Sequence, residues 1–374
     1  MKIGIITHPL EYNYGGLLQN YALQQILHGL GHDVLTIDKV FFQHHRKWTL
    51  VSRLKRFIKR IIGIEISISK GQYRFIKKNC TNFVKKNINV TKAFQNDKEL
   101  ESIIKKYKFD AYVVGSDQVW RPAFANNIYN DFLDFCQDKE NIKRVAYAAS
   151  FGISEWEFDE EQTKECSRLA KLFDAISVRE DSGISLCKEH LTVDAIHVLD
   201  PTLLLEKEEY IKLVEKNKEP VSNGNLFCYI LDNNESIEKG IGNIENRLSL
   251  KSFQVKAKAV KWTYKRGENI KDRIIPSPTK WLRAFMDAEM VFTDSFHGCV
   301  FSIIFNKPFW VIGNKERGNA RFDSLLKQFN LESRRFDISE MNNIDLTQPI
   351  DWEQVNTIKK EWQDKSINFL KNNL

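Results

Sequence analysis

The sequence predicts an α/β protein of two Rossmann-like domains, each a parallel sheet wound with helices. Short apolar segments that end in polar loops alternate with amphipathic helical patterns along the chain. The 374 residues exceed the size of one ordinary core. A polar stretch over residues 201–224 separates two series of such units. We therefore predict an N-terminal domain over residues 1–205 and a C-terminal domain over residues 206–374.

The first domain begins with the strand IGIIT, the loop HPLEYNYGG and the helical pattern LLQNYALQQILHGLG. The apolar stripe of that helix ends at Gly31, and glycine is favourable just after a helix. The strand HDVLTID follows, and later segments repeat the change from strand to polar loop: DAYVVGSDQVW, VAYAASFG, DAISVRED and HVLDPTLLL.

The second domain repeats the alternation and ends in a predicted helix, DWEQVNTIKKEWQDKSINFLKNNL. Its predicted strands are LFCYIL, FQVKAKAV, MVFTD and PFWVIG. In parallel sheets ligands bind beyond the carboxyl ends of the strands. The candidate functional residues are therefore sought in the loops after strands.

Composition excludes several classes of protein. No run of about 18 apolar residues exists to span a membrane, and MKIGIITHPL is a poor signal peptide. The six cysteines form no CxxC pair, which favours free thiols in a reducing cytoplasm. The eight histidines suggest no metal cluster. We expect a cytoplasmic protein with neither a metal nor a bound cofactor.

Positive charge is concentrated in one predicted insertion, residues 41–95. The net charge of the chain is +7, yet residues 46–86 alone hold thirteen Lys or Arg and one acid. Within them Leu50–Ile62 has the pattern of a basic amphipathic helix. This pattern is typical of a helix that lies on an anionic membrane surface, here the inner face of the membrane. It is equally typical of a helix that packs on the core and exposes a basic face to solvent. No recognised motif indicates nucleic acid.

Two loops suit a sugar. The loop NYGGLLQ places Asn13, Tyr14, Gly15, Gly16 and Gln19 before and within a helix start, and it lacks the GxGxxG pattern of a dinucleotide site. An ordinary tight turn is the alternative. The loop VVGSDQVW places polar side chains after a buried strand, with an aromatic ring beside them, although a cap or turn residue is the commoner role for an aspartate there. These residues are Ser116, Asp117, Gln118 and Trp120.

Cationic residues suit an anionic ligand. Arg179 in SVREDSG follows a strand and could present its planar fork to a carboxylate or phosphate, while an ion pair with Glu180 or Asp181 is the alternative. Lys315, Arg317 and Arg321 lie in a glycine-containing loop that suits a small, strongly anionic ligand.

The segment VFTDSFHGCVF places a histidine where a strand becomes a helix. Ser295 lies at a favourable N-cap position, and the backbone amides of His297 and Gly298 would face outward as a phosphate cradle. An imidazole there could donate or accept a proton near neutral pH. A structural histidine is the commoner alternative.

In this order the motifs resemble those of the polysaccharide pyruvyl transferase family. The resemblance includes YNYGGLLQNYALQQIL, DAYVVGSDQVW, SVREDSG, LDPTLLL, FTDSFHGCVFSIIFNKPF and RGNARFDSLLKQFNLESR. It implies a fold similar to GT-B glycosyltransferases, with the active-site cleft between the two domains. It also implies transfer of a pyruvyl group from phosphoenolpyruvate, as co-substrate, to a sugar of a bacterial surface polysaccharide (a capsular polysaccharide or exopolysaccharide). Our leading hypothesis is that the acceptor is lipid-linked through undecaprenyl diphosphate.

Under this reading His297 is the general acid or a hydrogen-bond donor that faces the phosphate. Asp117 is the general base or a ligand of a sugar hydroxyl. Ser295, Gly298 and the four cations bind the donor, and the two polar loops bind the acceptor. Two alternatives remain open: a GT-B glycosyltransferase that uses a nucleotide sugar, and a non-catalytic saccharide-binding protein.

Overall fold

A computed structural model of the chain describes residues 1–40, 66–259, 263–264, 268–313, 319–341 and 343–374. The predicted basic helix Leu50–Ile62 and two predicted donor-binding residues, Lys315 and Arg317, lie outside the described residues.

A six-stranded parallel sheet forms the first half of the structure. Its strands are β1 (Lys2–Ile6), β2 (Asp33–Thr36), β4 (Ala111–Val114), β5 (Lys143–Ala149), β6 (Ala175–Val178) and β7 (Ile196–His197). Their order in the sheet is β2-β1-β4-β5-β6-β7. The residues of β4 are all buried, as expected for a parallel strand covered on both faces.

A five-stranded parallel sheet forms the second half. Its strands are β8 (Leu226–Tyr229), β9 (Ser252–Phe253), β11 (Met290–Thr293), β12 (Phe309–Ile312) and β13 (Arg335–Phe336). Their order is β13-β12-β11-β8-β9. A separate antiparallel pair joins the insertion to the second half through β3 (Ile66–Ser67) and β10 (Thr263–Tyr264). The prediction of two Rossmann-like sheets is confirmed.

Helices cover the sheets. They are α1 (Tyr14–Gly29), α2 (Lys70–Ile76), α3 (Lys78–Asn87), α4 (Asp97–Tyr107), α5 (Glu160–Ala170), α6 (Ser182–Leu186), α7 (Lys207–Lys216), α8 (Glu235–Leu248), α9 (Pro278–Asp287), α10 (Phe296–Ile304), α11 (Ala320–Gln328) and α12 (Trp352–Asn373). Shorter 3₁₀ segments are Pro122–Phe124, Ile128–Phe132, Asp134–Cys136, Pro201–Leu204, Ile270–Arg273, Glu332–Arg334 and Ile338–Glu340, and a π turn spans Cys187–Leu191.

One apolar core joins the two halves. It includes Leu17 and Leu18 of α1, Leu203 after β7, and Trp281 of α9. The insertion adds to the junction because the Asn79 side chain donates a 2.8 Å hydrogen bond to the carbonyl of Ile275. These contacts place α1 between the two sheets, so its first turn faces the second half.

The predicted strand FQVKAKAV is shorter than expected, because among residues 252–259 only Ser252–Phe253 pairs with β8. β9 is the edge of its sheet, and an edge strand has a partner on one side only. The helix predicted at the end of the sequence is present as α12. Within the described part of the chain, no helix is both long enough and apolar enough to cross a bilayer.

Strand order locates the two places where ligands are expected. In the first sheet the order reverses direction between β1 and β4, and in the second between β11 and β8. Crevices at such points, beyond the carboxyl ends of the strands, are the usual ligand sites of open parallel sheets. The loops after these strands therefore define the region of the candidate site.

Candidate active site

A buried cluster of charged side chains joins the loops of the first sheet to the start of α10. Arg179 follows β6, Asp117 follows β4, and Asp200 follows β7. His297 belongs to the first turn of α10 in the second half. All four residues are buried, so their charges interact in a poorly screened environment.

Asp200 lies at the centre of this cluster. One carboxylate oxygen accepts hydrogen bonds from the backbone amide and hydroxyl of Thr202, at 3.0 and 2.7 Å. The other oxygen accepts a 2.9 Å hydrogen bond from Arg179 and lies 3.6 Å from Nε2 of His297. Burial would raise the pKa of Asp200, but contact with His297 and the charge of Arg179 hold it well below its ordinary value. Asp200 is therefore an ionised partner for the imidazole.

Arg179 joins two carboxylates. Its second terminal nitrogen lies 3.3 Å from Asp117, and its Cζ lies 4.4 Å from the ring centroid of Phe296. The side chain is only 1% exposed, and both terminal nitrogens of the guanidinium lie against carboxylates of the protein. This revises the prediction that Arg179 binds the donor. The structure shows an ion pair, but its partners are Asp117 and Asp200 rather than the predicted Glu180 or Asp181.

His297 contacts the first half of the chain directly. A Cβ atom at Gly15 would lie 2.0 Å from Nδ1 of His297, so the ring fits only because position 15 is a glycine. The ring also meets Phe296 edge-on, with centroids 5.3 Å apart. The imidazole is thus held between the carboxylate of Asp200 and the first turn of α1.

Two helices begin at this point without a capping side chain. Asn13 occupies the N-cap position of α1 and Ser295 that of α10, and neither side chain makes a capping hydrogen bond. Neither first turn contains an acidic residue. The positive ends of both helix dipoles therefore favour an anion here.

Arg321 adds a second guanidinium. It lies in the first turn of α11, is 9% exposed, and its Cζ is 6.0 Å from the centroid of Phe296. Burial, followed by the charge of Arg179, lowers the pKa of Arg321 to about 10. The group still carries its charge at neutral pH. It belongs to a helix and not to the predicted loop, and its donor-binding role stays a prediction.

Asp117 is a strongly acidic carboxyl group. Burial would raise its pKa, but Arg179, His8, His297 and Arg321 together lower it to about 2. Such a group is a weak proton acceptor. This favours the predicted role of hydroxyl ligand over that of base.

Sequence reasoning missed Asp200 and His8. Asp200 lies in LDPTLLL, one of the recognised motifs, and it follows a strand just as Asp117 does. His8 comes directly after β1 and Thr7, and its charge acts on Asp117. Both residues could have been found by examining every polar or ionisable residue that follows a strand of the first sheet.

Several residues predicted to bind the acceptor support the loops instead. Gln19 is fully buried, donates to the hydroxyl of Thr7 and accepts from the amide of Ser116. Ser116 is also fully buried, and its hydroxyl donates to the carbonyl of Ala148. Both predictions are corrected, because neither side chain reaches a surface that a sugar could contact.

Two aromatic residues of these loops are likewise structural. Trp120 is fully buried and stacks on Phe132 at 4.8 Å, so it offers no face to a sugar. Tyr14 is buried, and its hydroxyl donates to the carbonyl of Pro276 in the second half. Tyr14 thus fixes the junction between the halves.

The remaining predicted residues lie around the cluster. Asn13 is exposed and Gln118 half-buried, which leaves both as candidates for acceptor contacts. A Cβ at Gly16 would meet Asn13 only at 3.5 Å, whereas a Cβ at Gly298 would lie 2.2 Å from the hydroxyl of Thr293. Gly298 is therefore needed for helix packing, whatever its amide binds.

Chemically, the cluster combines an imidazole that lies 3.6 Å from a carboxylate with an electropositive region made by Arg321 and two helix N-termini. Such an arrangement can protonate or deprotonate a bound anion while holding its charge. Within the described ranges, no group of three or more His, Cys, Asp or Glu is arranged to hold a metal ion.

Comparison with known proteins identifies the family. The sequence profile of the polysaccharide pyruvyl transferases matches residues 13–316. The chain belongs to the polysaccharide pyruvyl transferase family. It is therefore a transferase, and the matched region contains every cluster residue except His8 and Arg321. A search of the curated proteins found no match.

The solved structures that resemble this member of the family have the GT-B architecture. The UDP-GlcNAc 2-epimerase from Methanocaldococcus jannaschii aligns with a TM-score of 0.53 and 13% identity, over 99% of each chain. The UDP-GlcNAc 2-epimerase from Neisseria meningitidis aligns with a TM-score of 0.52 and 9% identity, over 98% of this chain and 94% of its own. At these identities the likeness concerns the fold alone, and it confirms the predicted GT-B-like arrangement.

Proposed function

We propose that this transferase moves a pyruvyl group from phosphoenolpyruvate to two hydroxyl groups of a sugar in a bacterial surface polysaccharide precursor. The observation that supports it is the position of His297, between Asp200 and the first turn of α1 and near Arg321. Phosphoenolpyruvate is a small, multiply charged anion that needs both a proton donor and cations. The cluster would supply these groups where the loops of the first sheet meet the start of α10.

In the proposed reaction a proton is added to C3 of phosphoenolpyruvate, which makes C2 an electrophile. One sugar hydroxyl adds to C2, and phosphate leaves with the electron pair of its C–O bond. The second hydroxyl then adds to C2 and closes the ketal. The two hydroxyl protons balance the one gained by C3 and the one carried away by phosphate.

His297 would donate the proton to C3, with Asp200 stabilising the imidazolium. Arg321, together with Lys315 and Arg317, which precede it in the sequence, would hold the phosphate and carboxylate of the donor. Asp117 would accept a hydrogen bond from an acceptor hydroxyl.

The test is incubation of the protein with phosphoenolpyruvate and saccharides that end in galactose, glucose or hexosamine. We expect phosphate release together with a mass gain on the sugar equal to pyruvate minus water. His297→Ala should lower the rate by about two orders of magnitude or more, whereas His32→Ala, at a half-buried position near the amino terminus, should not. Stabilisation by UDP, GDP or CMP but not by phosphoenolpyruvate would instead indicate glycosyl transfer.

The acceptor is proposed to be a lipid-linked saccharide at the cytoplasmic face of the membrane, reached through the basic segment Leu50–Ile62. Replacing its cations with glutamine should then abolish sedimentation with anionic liposomes. Unchanged sedimentation would contradict membrane binding by this segment. The residues to replace are Arg53, Arg56, Lys59 and Arg60.

A further inference from the structure

An exposed phenyl ring lies close to the loops that carry the charged cluster. Phe124 is 43% exposed, whereas most large apolar side chains of the described residues are buried. It ends the 3₁₀ segment Pro122–Phe124, which begins with a proline, and its amide donates a 3.0 Å hydrogen bond to the carbonyl of Arg121. The ring of His8, which follows β1 and Thr7, lies 6.4 Å away between centroids. The local sequence therefore holds Phe124 near the carboxyl end of β1.

Arg121 fixes the position of this ring. Its Cζ lies 4.8 Å from the centroid of Phe124, and two of its nitrogens donate to the two carboxylate oxygens of Glu157, at 2.8 and 3.0 Å. A bidentate ion pair holds a guanidinium in one orientation, and the cation attracts the aromatic ring. Because the ring is already ordered, little conformational entropy is lost when a ligand covers it.

Gln118 supplies a hydrogen-bond donor next to Arg121. Its Oε1 accepts a 3.3 Å hydrogen bond from Arg121, and a Cβ atom at Gly152 would lie 2.1 Å from the same oxygen. The amide is therefore held on two sides, and its Nε2 has no hydrogen-bond partner among the residues that the structure describes. The backbone amide of Gln118 donates to the carboxylate of Asp117 at 3.0 Å, so this donor adjoins the charged cluster.

His8 connects the ring with the same carboxylate. The imidazole is half-buried, and its plane is inclined by 74° to that of Phe124. The charge of His8 is one of the causes that lower the pKa of Asp117, so the imidazole lies within electrostatic reach of that carboxylate. Phe124, Gln118 and His8 thus border one side of the cluster.

The size and chemistry of this surface indicate what it binds. A phenylalanine side chain has roughly 150–250 Å² of surface, so an exposure of 43% leaves roughly 90 Å² uncovered. A stable protein partner needs about 800 Å² on each side, and a phosphorylated acid would find no charge on a phenyl ring. A pyranose matches, because one face presents C–H groups to the ring and the rim presents hydroxyl groups to the amide and the imidazole.

We infer that a sugar ring of the acceptor saccharide packs on Phe124, and that Nε2 of Gln118 and the imidazole of His8 bind its hydroxyl groups. The inference rests on the proposed function, because it names the residues that hold the acceptor of that reaction. The apolar contact is made by Phe124 and not by Trp120, four positions earlier, whose ring is buried. Phe124 contacts the sugar and not the reacting atoms, so it determines specificity.

The first test compares wild type with Phe124→Ala and Phe124→Tyr in the steady-state assay of pyruvyl transfer, with saccharides that end in galactose, glucose or hexosamine. We expect Phe124→Ala to raise the KM for the accepted saccharide about tenfold, because a sugar that covers about 60 Å² of the ring loses that contact. The values of kcat and of the KM for phosphoenolpyruvate should stay close to those of wild type. Phe124→Tyr, which keeps the ring, should keep the wild-type KM for the saccharide.

The second test measures saccharide binding by calorimetry on the full chain, without phosphoenolpyruvate. Phe124→Ala should weaken saccharide binding about tenfold and leave the separately measured binding of phosphoenolpyruvate unchanged. Leu172→Ala is the matched control, because Leu172 is 37% exposed and lies just before β6, at the amino end of that strand. It should change neither affinity, and thermal unfolding shows whether each variant is folded.

Wild-type affinity for the saccharide in folded Phe124→Ala would overturn the inference. So would an equal loss in Leu172→Ala, or a parallel loss of phosphoenolpyruvate binding in Phe124→Ala, since either result would mark a general structural effect. Saccharide binding that depends on Phe124, without any pyruvyl transfer, would support the inference and contradict the proposed reaction. Pyruvyl transfer with the same saccharide KM in wild type and Phe124→Ala would contradict the inference alone. Absence of saccharide binding by the wild-type protein would contradict both.

Discussion

Replacing Gly15 with alanine should disable the proposed chemistry although no ionisable side chain is replaced. The added Cβ would lie 2.0 Å from Nδ1 of His297, and 2.3 Å from Cγ of the same ring. Real Cβ contacts of this kind lie beyond 3.0 Å, so the ring must move by about 1 Å. A displacement of that size in a reacting group can lower the rate about 10²-fold.

The neighbouring glycine is a matched control. A Cβ at Gly16 would meet Asn13 at 3.5 Å, which is an ordinary contact. Gly16→Ala should therefore retain activity, and it should gain stability, since alanine is favoured over glycine in a helix by about 1 kcal/mol.

The assay is the initial rate of phosphate release from phosphoenolpyruvate and acceptor, with thermal unfolding of each variant as the check on folding. We expect folded Gly15→Ala to lose about two orders of magnitude in kcat and Gly16→Ala to lose little. Two folded variants with the same near-wild-type kcat would refute the assigned role of His297.

Three further predictions concern carboxyl groups. Asp200→Asn should lower the free energy of unfolding by about 3 kcal/mol in urea titrations, because the buried Arg179 then has one carboxylate fewer. Glu235→Gln, which removes an exposed ion pair, should leave the free energy of unfolding nearly unchanged. Asp117 has a folded pKa of about 2 against an ordinary 3.8, so its ionisation stabilises the fold by about 2 kcal/mol above pH 4, and this is lost as the pH falls through 2. Asp117→Asn should flatten the stability profile in that window; an unchanged profile would contradict the ion pair. Burial raises the pKa of Asp38 to about 6, so its stabilising neutral form is lost as the pH rises through 6. Asp38→Asn should therefore unfold at a higher temperature than wild type at pH 7.5 and at the same temperature below pH 4, and equal melting at both pH values would contradict this.

Strand and helix patterns in the sequence were enough to predict the two sheets, because buried parallel strands are continuous apolar runs that stand out from the helices. They also located Asp117, Arg179 and His297 beyond the carboxyl ends of strands. The length of the edge strand β9 was overestimated. The alternation of apolar and polar residues in FQVKAKAV carries no information about how many of them pair with a neighbouring strand.

The partners within the cluster could not be predicted from the sequence. Residues 117, 179 and 200 meet only because the strands before them lie close together in one sheet, and strand order is a property of the folded chain. Nor does residue type reveal the direction of a side chain. Gln19 and Trp120 have the chemistry of sugar ligands, yet both point into the protein.

The helix α12 returns to the first half of the chain. The hydroxyl of Ser366 accepts a 3.0 Å hydrogen bond from the amide of Leu199, and the ring of Phe369 lies 6.2 Å from that of Tyr147 in β5. During synthesis, β5 and the segment after β7 must therefore wait without these partners until residues 366–369 have left the ribosome. The first sheet cannot complete its packing before these residues have emerged, and a nascent chain arrested before α12 should remain sensitive to protease around Tyr147 and Leu199.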